Sequence, residues 1–235
     1  MTSLDASTRM VLVNAIHMKL PWATAFDPAA TQALSFSRAD GTTVSTPFMN
    51  EDATLAYVDD GAAQIVALPL SGGQISVIIA LPHGDLATYE AGLTAGSAAL
   101  APPTTQALVE LSLPKVAFTS PTFSLADELE AMGMTDAFDL NVADFSGLCA
   151  DPPAGETLYL SDVLQKATIA IAEGGIEAAA ATAVVIDADG SVAYPPPEGT
   201  PMVVDRPFLM AIVDVPTGAV LFLGHIEDPT AMGSP

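Results

Sequence analysis

Three histidines (His17, His83 and His225), a single cysteine (Cys149) and 28 acidic residues are the groups from which this chain could build a catalytic or metal-binding centre. Their spacing supports neither. No His-x-x-x-His pair is present, no Gly-x-Ser-x-Gly elbow exposes a nucleophile, and no glycine-rich loop opens a helix to cradle phosphate. Asp187-Ala-Asp189-Gly190 has the opening of a calcium loop but lacks the downstream ligands. One cysteine excludes an internal disulfide framework and a cysteine-rich metal site. The reading is therefore not an enzyme, with no cofactor and no metal.

Chemistry of another kind is written between Glu173 and Val185, where Glu-Gly-Gly-Ile-Glu-Ala-Ala-Ala-Ala-Thr-Ala-Val-Val follows a strand-like segment. Alanine favours helix, but this run starts from two glycines and ends in β-branched Thr182, Val184, Val185 and Ile186, which favour strand. At a period of two, Ile176, Ala178, Ala180, Thr182, Val184 and Ile186 share one face, and Glu177 and Asp187 fall on the other. A segment so built can slide into a sheet as an added strand, since no large or charged group has to pass through the gap.

The elements that position this run read as a strand-rich mixture of α and β in one domain, residues 1–235. Strands are expected over Val11–Met18, Ala63–Leu70, Ile75–Leu81, Leu108–Leu113, Val116–Thr119, Val163–Ala172, Met202–Val204, Phe208–Val215 and Val220–Ile226. Asp85 is a candidate N-cap for one or two short helices up to Leu100, interrupted by Gly92 and Gly96. Ser124–Met132 carries Leu125, Leu129 and Met132 at helical spacing. Residues 174–199 read as an exposed loop, kept extended at its end by Pro195, Pro196 and Pro197.

The hinge-like run Gly-Gly-Ile-Glu-Ala-Ala-Ala-Ala-Thr resembles the proximal hinge of an inhibitory serpin, and four further blocks agree in order. Met10–Phe26 resembles the family's third strand of sheet A, Thr135–Gly147 the stretch after its helix I, and Leu158–Ala167 its fifth strand. Arg206–Leu209 and Leu221–Pro229 resemble its closing strands. The resemblance, to an inhibitory and bacterial-like member, implies a multi-sheet α+β serpin fold with few helices. It also implies that this chain corresponds to the family's C-terminal part, a mostly helical N-terminal portion lying outside it.

What the resemblance implies for function is inhibition of a serine protease, or of a cysteine protease by the same chemistry. The protease attacks the reactive-centre loop, about residues 174–200, forms an acyl-enzyme, and is trapped as the cleaved loop inserts into sheet A. The hinge is then Glu173, Gly174, Gly175, Ile176, Glu177, Ala178, Ala179, Ala180, Ala181 and Thr182. The family's spacing places the reactive bond at Asp189–Gly190; Tyr194 is the alternative, but Pro195 after it resists cleavage. Lys115 and Glu173 match the pair that meets where insertion begins, and Trp22 matches the aromatic residue beside them. Asn14 matches the polar residue at the centre of sheet A, with Gln165 where the family usually has His. Ile176 is bulkier than the residue usual at its position, which leaves a non-inhibitory serpin as an alternative; the absence of two strands of sheet A from this chain leaves an inactive truncated fragment as another.

Six basic against 28 acidic residues give a formal charge of −22, which repels nucleic acid, heparin-like polyanions and anionic lipid. A hydrophobic content of 50% and mean hydropathy of +0.44 describe a globular chain. Polar residues and prolines break every run before the roughly 18 apolar residues a membrane helix requires. No signal peptide is visible; the resemblance favours an extracellular or periplasmic site and a monomer when complete.

Overall fold

The computed structural model describes residues 8–94, 96–148, 157–177 and 199–230. Its strands, in chain order, are β1 (Met10–Ile16), β2 (Leu20–Pro21), β3 (Gln32–Ser37), β4 (Thr43–Asp59), β5 (Ala63–Pro69), β6 (Ile75–Pro82), β7 (Gln106–Pro114) and β8 (Val116–Thr119), followed by β9 (Phe123–Ser124), β10 (Leu160–Ala172), β11 (Gly175–Ile176), β12 (Thr200–Val203), β13 (Phe208–Asp214) and β14 (Ala219–Ile226). Two short helices, α1 (Leu86–Ala91) and α2 (Ala126–Ala131), and two 3-10 turns accompany them. The result is the strand-rich α+β fold expected.

The chain divides into two compact units. The larger comprises residues 18–118 and 169–232 and is built on a sheet of order β12-β7-β4-β5-β6-β13-β14, with β3 beside β4. Its central strands show why apolar runs replace alternation. In β6, Val77, Ile79 and Leu81 enter one hydrophobic cluster while Ile78 and Ala80 enter another on the opposite face. β13 divides in the same way, with Phe208, Met210 and Ile212 against Leu209, Ala211 and Val213. A strand buried on both faces has no solvent side to mark with polar residues. The second cluster is roofed by α1, whose start Asp85 caps by accepting the Thr88 N–H at 2.9 Å, as the sequence predicts.

The smaller unit comprises residues 1–17, 119–168 and 233–235. Within it β1 runs parallel to the first part of β10, with Leu12 opposite Val163 and Asn14 opposite Gln165, and β9 pairs antiparallel with β10. Burial there is sparse: Val13 stays 76% exposed and Met132 85% exposed. The expected helix therefore forms over Ala126–Ala131 without burying the face that Leu125, Leu129 and Met132 share. Hydrogen exchange should report this contrast, with amides of β6 and β13 exchanging at least ~100-fold more slowly than those of β1, because exchange tracks local opening and buried contacts resist it. Equal protection in β1 and β6 would contradict it.

Besides the two-residue strands β2, β9 and β11, two longer strands were not signalled by the sequence pattern, β3 and the 17-residue β4. Pro47 and the acidic pair Glu51-Asp52 interrupt β4's apolar periodicity. Long-range pairing with β3, β5 and β7 nevertheless keeps it extended.

Candidate functional site

The residues expected to form the hinge begin at the end of β10. The chain turns through Glu173 and Gly174, and β11 runs back antiparallel to β10, pairing Ile176 with Ile171 and Gly175 with Ala172. On its other edge β11 pairs antiparallel with β2, Gly175 with Pro21 and Ile176 with Leu20. The second and third residues of the expected loop, Gly175 and Ile176, are thus already a short strand between two others. This corrects the expectation that the exposed loop begins at Gly174: Ile176 is 0% exposed and belongs to the main core. An isoleucine fits because apolar burial of a branched side chain stabilises by about 1.5–3 kcal/mol.

Gly175 is required by this arrangement. At φ +133° a Cβ would lie 2.4 Å from the Leu20 carbonyl oxygen, 2.5 Å from Pro21 Cα and 2.7 Å from the Trp22 nitrogen, all backbone atoms. Beyond Ile176, Glu177 adopts φ 45° and its N–H donates to Ala170 O at 2.8 Å. A left-handed non-glycine residue is uncommon, and here it lies immediately past the end of the seated strand.

Trp22 and Phe26 hold the turn from one side. The Trp22 N–H donates to Gly174 O at 3.1 Å, its indole Nε1–H to Ala172 O at 2.9 Å, and the Phe26 N–H to Glu173 O at 3.0 Å. Their rings meet edge to face at 6.0 Å. From the other side Lys115 Nζ contacts Glu173 Oε1 at 2.5 Å, and the Thr31 hydroxyl donates to the same oxygen at 2.8 Å. Burial pushes the Glu173 carboxyl up. Hydrogen bonds from Lys115, its own backbone N–H and Thr31, together with the Lys115 charge, outweigh that and hold it below its ordinary 4.5.

Lys115, Glu173 and Trp22, which the resemblance matched to a meeting pair and the aromatic residue beside it, converge on one turn. Asn14 and Gln165 lie opposite each other in the parallel ladder, but among the described residues no hydrogen bond joins their side chains. Ala178, Ala179, Ala180, Ala181, Thr182, Asp189, Gly190, Cys149 and Tyr194 lie outside the described residues. His83 pairs with Asp59 at 3.0 Å and His225 with Glu90 at 3.1 Å, both on the surface.

The structure adds residues the sequence pattern did not single out. Thr31 and Phe26 serve the hinge from positions far away in the chain, with no local signal. Where the chain returns, the Gly199 N–H donates to Glu110 Oε1 at 3.1 Å, and Gln64 Nε2–H donates to Pro201 O at 3.0 Å. These contacts anchor the start of β12, which runs parallel to β7.

Gly175 and Ile176 thus form a two-residue strand between β10 and β2, and the chain is held again where β12 begins beside β7. Comparison with known proteins agrees: the family described as Serpin (serine protease inhibitor) matches residues 1–229. The chain belongs to the serpin family, whose members are characteristically protease inhibitors rather than enzymes. It is 34% identical over 236 residues to plasminogen activator inhibitor 1 of Neovison vison, covering 97% of this chain and 56% of that protein. The native state of the thermophilic serpin tengpin superposes with a TM-score of 0.78 at 29% identity, over 97% of this chain and 58% of tengpin. Human thyroxine-binding globulin, solved with its ligand, gives a TM-score of 0.75 at 29% identity, over 98% of this chain and 59% of that one. The chain thus spans little more than half the length of the relatives it matches.

Proposed function

We propose that the protein containing this chain inhibits a serine protease by loop cleavage, acyl-enzyme formation and insertion of the cleaved loop as a strand beside β10. The observation that carries this reading is the pairing of Gly175 and Ile176 between β10 and β2. Continued residue for residue, that register sets Ala178 opposite Ile169, Ala180 opposite Ala167 and Thr182 opposite Gln165. The alanines and the threonine would then share the inner face with Ile176, where their small size removes the steric barrier to entry. Asp187 would come opposite Leu160, the first residue of β10, and Asp189–Gly190 would then fall just past the end of the completed strand.

The energetics favour insertion once the loop is cut. The entering segment parts the seven β1–β10 pairs and gains a ladder on both its edges. At about 0.5–1.5 kcal/mol net per hydrogen bond, roughly ten residues yield on the order of 10 kcal/mol. The protease serine attacks the loop carbonyl, the peptide bond breaks with release of the new amine on the far side, and the acyl ester holds the enzyme to the moving segment. Insertion must outrun hydrolysis of that ester.

Incubation of the full-length protein with a panel of serine and cysteine proteases tests this. An SDS-resistant complex and a rise in melting temperature after cleavage are expected; cutting with neither would overturn the reading. A second reading, a non-inhibitory serpin, is favoured by the burial of Ile176 and by the likeness to thyroxine-binding globulin. It predicts cleavage without complex.

Reactive-bond identity has its own test. Residues 177–199 contain no Lys or Arg, so trypsin has no site there, and Asp189 is repelled by the anionic pocket of trypsin-like enzymes. Asp189→Arg is expected to raise the rate of trypsin cleavage within this segment at least ~100-fold, reflecting charge pairing in that pocket. Peptide mapping by mass spectrometry reads the cut.

A further inference from the structure

On β4, Met49, Glu51, Ala53, Leu55 and Tyr57 fall on one face by strand alternation. Met49, Leu55 and Tyr57 are buried in the main core, and Ala53 packs against it. Glu51 is the one acid in this inward row. It is half-buried and has no hydrogen-bond or ion-pair partner among the described residues. Its neighbour Asn50, by contrast, is bonded to Ala30, Phe48 and Ser112. Loss of water from around the carboxyl pushes its pKa up. A desolvated, unpartnered carboxylate at a core-facing position is destabilising unless something compensates it.

The carboxylate opens on a cavity of about 130 Å³. Trp22, Phe26, Leu55 and Leu68, all buried, form its apolar walls, and Thr24 and Thr54 lie at its exposed edge. The volume is well below the ~300–1,000 Å³ of drug-sized pockets, so it suits a fragment. Two aromatic rings, aliphatic walls and one carboxylate together select a short apolar chain ending in a positive charge, since ring faces and carboxylate both attract a cation.

We infer that this cavity is a binding site for a primary alkylammonium group, held by Glu51 against Trp22 and Phe26. The site is separate from the loop and does not depend on inhibition. It touches the hinge, however, because the main chains of Trp22 and Phe26 carry the hydrogen bonds to Gly174 and Glu173. An occupant that immobilises those two residues favours the seated form of β11.

Trp22 is the only tryptophan, so its emission reports the cavity directly. Titration of the chain with n-butylammonium chloride, at ionic strength matched with NaCl, is expected to give a saturable emission change with half-saturation in the millimolar range. n-Butanol should give no saturating change over the same range, and Glu51→Gln should raise the half-saturation concentration at least ~10-fold, as expected for loss of a charge-assisted contact. An Nα-acetyl-lysine methylamide arm separates the sources: a stronger response to n-butylammonium assigns a free amine, and a stronger response to the capped lysine assigns a lysine side chain of a partner. Equal responses of wild type and Glu51→Gln, or of n-butylammonium and n-butanol, overturn the site. The amine–alcohol comparison on the wild type decides the matter even if the variant folds poorly.

Discussion

Gly175→Ala is expected to lower the melting temperature by about 4–16 °C, from a loss of roughly 2–4 kcal/mol at 2–4 °C per kcal/mol for a domain of this size. The loss has two sources. Any L-residue at φ +133° is strained, and the new methyl would sit within 2.7 Å of three backbone atoms of Leu20, Pro21 and Trp22, none of which is the free end of a side chain. Relief requires β11 to leave its place between β10 and β2, which exposes Ile176 and releases the Trp22 N–H from Gly174. Trp22 emission should therefore shift to the red as the melting temperature falls. Gly41→Ala is the control: φ is +80° there, but nothing lies within 4 Å of the added Cβ. Its change should be limited to about 1 kcal/mol of conformational strain. If Gly175→Ala melts within a degree of the wild type and leaves the emission unchanged, the hinge is not seated as a strand.

Lys115→Met should destabilise by about 1–3 kcal/mol at neutral pH, and by more than Glu173→Gln. The asymmetry follows from exposure. The Glu173 side chain retains only 14% of its accessible surface, so removing Lys115 leaves a carboxylate that cannot readily turn to water. Lys115 retains 34%, so it can rehydrate when Glu173 is neutralised, and screening reduces what the pair contributes. The sign of the pH dependence is fixed by the depressed pKa of Glu173. Its contribution is present above the ordinary value of 4.5 and is lost as pH falls through the lower folded value. The gap in melting temperature between wild type and Lys115→Met should thus be full near pH 6–7 and close in acid below the ordinary carboxylate value. A gap that stays constant from neutrality into acid would mean that Lys115 acts through packing of its methylene stem.

Both predictions concern one turn, and they bear on how readily the hinge could feed a strand into the sheet. The Lys115–Glu173–Thr31 cluster and the Trp22–Phe26 pair grip the turn from two sides. Weakening the first without the second should loosen Glu173 while leaving Gly174 held. Substitution at Gly175 attacks the strand itself. Comparing the two variants separates a loosened turn from an ejected strand.

The sequence by itself determined what depends on local chemistry. Asp85 caps α1 because its carboxylate reaches an amide three residues on. β6 and β13 are strands because continuous apolar runs next to turn residues admit little else. The run after Glu173 stands out because a glycine pair, Gly174-Gly175, is followed by four consecutive alanines from Ala178 to Ala181. Lys115, Glu173 and Trp22 were legible only by resemblance, since nothing in the spacing of residues 22, 115 and 173 brings them together.

Tertiary structure alone decided the rest. It seated Ile176 in the core rather than in an exposed loop, because the pairing partners that hold it, β2 and β10, come from segments about 150 residues apart in the chain. It recruited Thr31 and Phe26 to the same turn, kept β4 extended through Pro47 and Glu51, and left α2 with an exposed Met132. Side-chain type and spacing fix backbone preference over a few residues. Whether a position meets water, a carbonyl or another strand is set by contacts between distant segments, and these exist only once the chain has folded.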